Sequence, residues 1–158
     1  MLATFETKKQ KEDCLLALRH SILLWERMAD TGSYSKVQAL GSLKWEGAFP
    51  PDTAVYGLRF GCFLCDNTEL QMMLHKDFGD LDCARYCPVL WDKKNNPNNG
   101  VKKDYGSPCC CGRSPYNTWR RADTPEKRKK AAAGVLQLLK ETLEQAEKMP
   151  IQKERKER

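Results

Sequence analysis

The sequence predicts a helix-rich α+β protein in which two long helices pack around a small irregular β and zinc-knuckle core. Three observations support this. Apolar residues recur at helical spacing near both ends of the chain, two pairs of cysteines lie in its middle, and glycines and prolines interrupt the segment that leads to them. At 158 residues the chain has the usual size for one hydrophobic core. We therefore predict a single zinc-stapled domain over residues 1–150 and a charged, flexible tail over residues 151–158.

The first helix is predicted over residues 1–30. Its apolar side chains recur every three or four residues and form one face, which further leucines widen: Leu15, Leu18, Ile22, Trp25 and Ala29, with Leu16, Leu23 and Leu24. Gly32 can adopt the left-handed conformation that commonly ends a helix. We expect Trp25 in the core and His20 partly exposed, without a catalytic role.

The second long helix is predicted over residues 124–149. Thr124 is suited to cap its start, Pro125 to occupy its first position, and Pro150 to end it. One apolar stripe runs along it: Ala132, Val135, Leu136, Leu139, Leu143 and Ala146. At 1.5 Å per residue this helix is about 37 Å long, enough to lie antiparallel along the first helix.

The middle of the chain carries a predicted metal site. Cys62 and Cys65 are separated by two residues, and Cys83 and Cys87 by three. Zn²⁺ prefers four thiolate or imidazole ligands in a tetrahedron, and two such pairs provide them in a zinc finger-like arrangement. Cys111 competes for the fourth position. A site filled by four protein ligands has no open position, so we expect a structural rather than a catalytic zinc ion.

The choice of zinc depends on the expected redox compartment. The first residues lack the apolar stretch of a signal peptide, and no apolar run approaches the ~18 residues of a membrane span. We therefore expect a reducing cytosol and no membrane association. In such a compartment paired cysteines indicate metal or redox chemistry more often than disulfides. A thioredoxin-like redox motif at Cys62–Cys65 is the main alternative, and nothing resembles a ferredoxin cysteine run.

A basic segment with interleaved aromatics precedes and opens the second long helix. It contains seven cations and two aromatic side chains: Arg113, Tyr116, Trp119, Arg120, Arg121, Lys127, Arg128, Lys129 and Lys130. The cations could bind phosphates while Tyr116 and Trp119 stack on bases. The alternative is a solvated helix start, with both aromatics packed on the zinc site. The excess of Lys and Arg over Asp and Glu, 27 to 21, gives a net charge of +6 and is compatible with an anionic partner.

The cysteine pattern resembles that of a family of small, mostly uncharacterised proteins of tailed bacteriophages and prophages. The resemblance covers roughly residues 15–121, and the matching segments are Leu24-Trp25-Glu26-Arg27, Cys62-Phe-Leu-Cys65, Cys83-Ala-Arg-Tyr-Cys87-Pro88-Val89 and Cys111-Gly-Arg-Ser114-Pro115-Tyr116. Leu24 stands where the family usually has histidine, and Ser114 replaces threonine. The resemblance implies a phage origin, an intracellular setting and a cysteine-bound metal.

No Gly-rich phosphate loop, nucleophile elbow or metalloprotease helix occurs in the sequence. We therefore predict a non-enzymatic zinc protein that binds and modulates a host macromolecule, as in host takeover or the inhibition of a defence system. A host protein or protein complex is the favoured partner. The alternative is nucleic-acid binding through residues 113–130, and a zinc-dependent nuclease or hydrolase is less favoured. The sequence leaves the oligomeric state open.

The predicted zinc site makes stability depend on metal. A closed thiolate site contributes its binding free energy to folding, so chelation is expected to unfold the middle of the chain. Metal content and circular dichroism, followed together during titration with a chelator, test this. Unchanged thermal stability after complete removal of the metal would contradict the organising role predicted for it.

Overall fold

The computed structural model describes residues 5–36, 39, 89 and 114–152. Within these residues the chain forms three α-helices: α1 over Lys8–Thr31, α2 over Pro115–Arg121 and α3 over Pro125–Lys148. The prediction of a helix-rich protein with a long helix near each end is therefore confirmed. The predicted β and zinc-knuckle core falls on residues outside those described.

The first helix begins later than predicted and ends where predicted. The hydroxyl of Thr7 accepts a hydrogen bond from the backbone N–H of Gln10 at 3.0 Å, and the Gln10 side chain accepts one from the N–H of Glu6 at 2.7 Å. This reciprocal capping stabilises a start at residue 8. At the other end, Gly32 has φ 64° and ψ 23°, and its N–H donates to the Met28 carbonyl at 2.9 Å. Gly32 is thus the left-handed stop that the sequence predicts.

The bounds of α3 follow from the predicted signals. The Thr124 hydroxyl accepts a hydrogen bond from the N–H of Lys127 at 3.2 Å, and Pro125 occupies the first helical position. The helix ends at Lys148, two residues before Pro150. The cap, the first residue and the stop of this helix are therefore confirmed.

α1 and α3 pack antiparallel, as the helix lengths predict. At one end of the pair, the Lys11 ammonium donates to the carbonyls of Glu147 and Met149 at 2.8 and 2.7 Å. At the other end, Nε of Arg128 donates to the carbonyl of Gly32 at 2.7 Å. In each case a cation contacts the carbonyls that a helix terminus leaves without partners, which is favourable for the helix dipole. Two further ion pairs link the helices along their length: Arg19–Glu147 and Glu26–Lys140.

The core lies between these helices and α2. Leu18 and Trp25 of α1 and Val135 and Leu139 of α3 are all buried, as their predicted stripes require. Leu136 and Leu143 of α3 are partly buried and pack against the same cluster. Burial of each large apolar side chain contributes roughly 1.5–3 kcal/mol, so this seam supplies much of the stability of the helical pair.

Two leucines and one histidine of α1 do not lie where the sequence predicts. Leu16 and Leu23 are 45% and 43% exposed, whereas His20 is buried. The buried side of α1 also includes the polar residues Gln10 and Ser21. The face that packs in the core is therefore rotated about the helix axis from the face that the apolar residues alone would predict. The prediction that Leu16 and Leu23 widen the core face and that His20 is partly exposed is therefore wrong.

The short helix α2 has no counterpart in the sequence prediction. The Ser114 hydroxyl accepts hydrogen bonds from the N–H groups of Tyr116 and Asn117, and Pro115 occupies the first helical position. α2 packs closely on α3 at Gly134, where a Cβ atom would lie 3.2 Å from Cβ of Pro115. The glycine in the middle of α3 therefore provides room for α2, although glycine disfavours a helix by about 1 kcal/mol relative to alanine.

The two terminal segments pair with each other. The N–H of Phe5 donates to the Pro150 carbonyl at 3.1 Å, and the N–H of Gln152 donates to the Phe5 carbonyl at 2.7 Å. Phe5 and Ile151 form an isolated parallel β-bridge, and Phe5 is fully buried. The first two residues of the predicted tail are thus held against the segment that enters α1.

The close approach of α1 and α3 predicts a strong effect of Gly32→Ala. A Cβ at this position would lie 2.7 Å from the carbonyl oxygen of Pro125, and the left-handed φ adds about 1–2 kcal/mol for any L-residue. We expect a loss of at least that free energy of unfolding, measured by chemical denaturation. Gly134→Ala is the matched control, because a gain of about 1 kcal/mol in helix propensity offsets its tighter contact. Equal losses in both variants would contradict the role of Gly32.

Candidate partner-binding surface at the α2–α3 corner

The structure brings most of the predicted basic segment to one corner of the helical frame. Arg113 lies outside the described residues. The other residues predicted for this surface lie on α2 and in the first two turns of α3. They divide into side chains that hold the fold together and side chains that face solvent.

Trp119 and Tyr116 belong to the first group. Trp119 is buried, and its ring lies edge-on to Trp25 with centroids 5.1 Å apart. Tyr116 is partly buried, 5.8 Å from Trp25, and its hydroxyl accepts a hydrogen bond from the Lys36 ammonium at 3.1 Å. The two aromatics therefore pack α2 against α1, and the buried Trp119 offers little ring surface for the base stacking that the sequence left open.

Arg128 also serves the fold. Its side chain is partly buried, with Nε on the Gly32 carbonyl at 2.7 Å and Nη1 directed to the Ala122 carbonyl at 3.4 Å. One guanidinium thereby connects the end of α1 to the linker between α2 and α3. The fork-shaped donor geometry of arginine allows both contacts at once, which a lysine could not reproduce.

Lys127 is neutralised locally. Its ammonium contacts the Asp123 carboxylate at 2.7 Å, and this hydrogen bond, together with the lysine charge, lowers the pKa of Asp123. Both side chains are exposed, so the pair contributes little to stability. Its effect on the surface is to cancel one of the predicted positive charges.

Besides Lys127, four of the predicted cations are exposed: Arg120, Arg121, Lys129 and Lys130. In the part of the chain that the structure describes, no ion pair involves Arg121, Lys129 or Lys130. We call these three residues the cationic corner. Their charges are turned to solvent at the end of the frame that Gly32 and Arg128 hold together.

Tyr34 is a surface residue that the sequence analysis missed. It is 70% exposed and lies two residues after Gly32, with the Arg128 guanidinium 5.9 Å from its ring centroid. A single tyrosine in a polar segment carries no pattern that would identify it. Only the contact with Arg128, which is distant in sequence, places it beside the cationic corner.

The predicted metal ligands Cys62, Cys65, Cys83 and Cys87, and the competing Cys111, lie outside the described residues. Among residues 5–36, 39, 89 and 114–152, no three His, Cys, Asp or Glu side chains are grouped so that they could hold a metal ion. Cys14 is buried in the core of the helical frame. The zinc site therefore stays a prediction.

Comparison with protein-family models, with curated proteins and with solved structures gives no match to this chain. No helix among the described residues is both long enough and apolar enough to cross a membrane. The resemblance to phage proteins stays a prediction.

The dual contact of Arg128 predicts that its removal destabilises the fold. Arg128→Ala deletes one short hydrogen bond from a charged donor, worth about 1.5–3 kcal/mol, and one long bond that adds little, so we expect a loss of about 1.5–3 kcal/mol in the free energy of unfolding. Lys130→Ala, an exposed cation two residues away, is the control and should change stability by less than about 0.5 kcal/mol. Urea denaturation of both variants makes the comparison. If they unfold alike, Arg128 does not anchor the corner.

Burial of His20 predicts a pH dependence. Desolvation lowers the pKa of the imidazole below its usual 6.5, so the folded protein binds fewer protons at this site than the unfolded chain. Stability from this group is complete above about pH 6.5 and falls as the pH drops below that value. Titration of the His20 imidazole by NMR should give a pKa below 6.5, and His20→Gln should remove this part of the pH dependence. An imidazole pKa of 6.5 or higher would refute the prediction.

Proposed function

We propose that this chain is a zinc-stabilised, non-enzymatic protein that binds a host protein or protein complex in the bacterial cytoplasm and modulates it. The observation that carries the proposal is the cationic corner. Arg121, Lys129 and Lys130 present their charges to solvent without ion-pair partners among the described residues. Complementary charge accelerates encounter with an acidic partner and excludes basic ones.

The helical frame beneath the corner supports a binding role. Arg128 ties the ends of α1 and α2 to α3, and Thr124 caps α3 at the same place. A surface whose backbone is already ordered loses less conformational entropy when a partner binds. The corner can therefore bind a partner without first having to become ordered.

Zinc is the second part of the proposal. Cys62, Cys65, Cys83 and Cys87 have the residue types and spacing of a thiolate site, and Cys111 precedes α2 by only a few residues. An ion held by these cysteines would contribute to folding and tie the middle of the chain to the frame. The resemblance to phage proteins supports a host partner and an effect such as inhibition of host machinery.

Nucleic acid is the second candidate, since the same cations could bind phosphates. Two observations weaken it. Trp119 is buried and the Tyr116 hydroxyl accepts a hydrogen bond from Lys36, so these two rings have little surface available for stacking on bases. The carboxylates of Asp123 and Glu126 also lie on the exposed surface of this segment. A zinc-dependent nuclease or hydrolase has the least support, because four cysteine ligands would leave the metal no open position.

The experiment is affinity capture of the tagged protein from infected bacteria, with and without nuclease. The corner variant reverses three charges: Arg121→Glu, Lys129→Glu and Lys130→Glu. A control variant reverses three exposed lysines at the opposite end of the α1–α3 pair: Lys8→Glu, Lys9→Glu and Lys148→Glu. The two variants have the same net charge, so a difference between them reports the location of the site.

We expect a specific host protein that survives nuclease treatment, is lost with the corner variant and is retained with the control variant. Recovery of nucleic acid alone, lost with the corner variant, would favour the second candidate. Capture unaffected by the corner variant would contradict the assignment of this surface.

A further inference from the structure

We propose that Tyr34 is the aromatic anchor of the cationic corner, and that the combined surface takes an acidic protein segment carrying an apolar side chain between carboxylates. This inference rests on the proposed function and specifies the chemistry of its partner.

Tyr34 lies beside the contacts by which Arg128 joins the end of α1 to α3. Arg128 is held by the carbonyls of Gly32 and Ala122, and its guanidinium lies against the Tyr34 ring. The Lys129 side chain passes close to Gly32, since a Cβ there would lie 3.1 Å from Lys129 Cγ. The ring and the Lys129 stem therefore flank one short loop.

Arg121 extends the surface on the side of α2. It is exposed and directly precedes Ala122, whose carbonyl accepts from Arg128. Arg128 thus links Tyr34 to the end of α2 and to the start of α3, which carry the exposed cations Arg121 and Lys129. An apolar ring beside exposed positive charge fits an interface with an apolar centre and a polar rim.

An exposed tyrosine of this kind suits a protein partner. Tyrosine and arginine are enriched among the residues that dominate binding free energy, because the ring buries a large area with few rotatable bonds. Tyr34 is 70% exposed, so most of its surface is open to a partner, while Arg128 restrains it. An apolar side chain of the partner can cover the ring as its carboxylates meet the cations.

The surroundings distinguish this partner from a nucleic-acid strand. A strand requires a continuous cationic track and successive stacking positions. Here Asp123 and Glu126 interrupt the positive surface, and Trp119 lies in the core. A single exposed ring flanked by separate cations matches a short acidic segment better than a row of bases and phosphates.

The test uses a fluorescein-labelled peptide that alternates glutamate or aspartate with leucine and phenylalanine, titrated with the full-length protein and followed by anisotropy. We expect saturable binding that weakens about tenfold in Tyr34→Ala and is largely kept in Tyr34→Phe. Leu23→Ala, which changes an exposed apolar side chain on α1 outside this surface, should bind as the unchanged protein does. The corner variant should abolish binding.

Absence of saturable peptide binding, or equal affinity of Tyr34→Ala and the unchanged protein, would overturn the inference. So would tighter binding of an oligothymidylate of matched charge that depends on Tyr34, because it would assign the surface to nucleic acid. If the corner variant loses its host partner while Tyr34→Ala retains it, the proposed function stands and the role of Tyr34 is refuted. Circular dichroism of each variant establishes that it is folded.

Discussion

The contact between the end of α1 and the start of α3 is the constraint on which the described structure depends. Gly32 ends α1 in a left-handed conformation, leaves space for the Pro125 carbonyl and offers its own carbonyl to Arg128. A side chain at this position would block the approach of the backbones, and without the approach Arg128 could not contact the carbonyl. The antiparallel alignment that results brings Lys11 to the carbonyls at the far end of α3, so both ends of the pair are capped by a cation from the other helix.

The sequence predicts those parts of the fold that local chemistry determines. The cap at Thr124, the first position at Pro125 and the stop at Gly32 follow from backbone requirements of single residues, and each is confirmed. The exact face of α1 was beyond such reasoning, because Ser21 and His20 are buried although they are polar. Burial depends on which neighbour covers a residue, and a periodic pattern of apolar residues does not contain that information. α2 was missed for a different reason: its seven residues are too short for periodicity, although Ser114 followed by Pro115 is a helix-start signal.

The candidate surface shows the same division. Composition identifies a cationic segment, and the structure confirms that Arg121, Lys129 and Lys130 are exposed. Composition alone does not show that Arg128 and Trp119 hold the fold together, or that Tyr34 lies beside the cationic corner. Each of these facts is a contact between residues far apart in the chain. The residues that sequence reasoning singles out by type are thus sorted into structural and available ones only by tertiary contacts.

The placement of these cations also has an energetic consequence. Positive charge in the first turns of a helix opposes its dipole, whereas the same charge at the end of a neighbouring helix is favourable. Asp123 compensates Lys127, and Arg128 turns toward the end of α1. Lys129 and Lys130 lie in the second turn of α3, beyond the main reach of the dipole, but their neighbouring like charges repel each other and have no ion-pair partner in the described part of the chain. An acidic partner would offset this repulsion as well as contribute its own contacts, so by linkage its binding would also stabilise the folded protein. The cluster is thus mildly unfavourable in the free protein and would become favourable in the complex proposed above, which is consistent with a binding role.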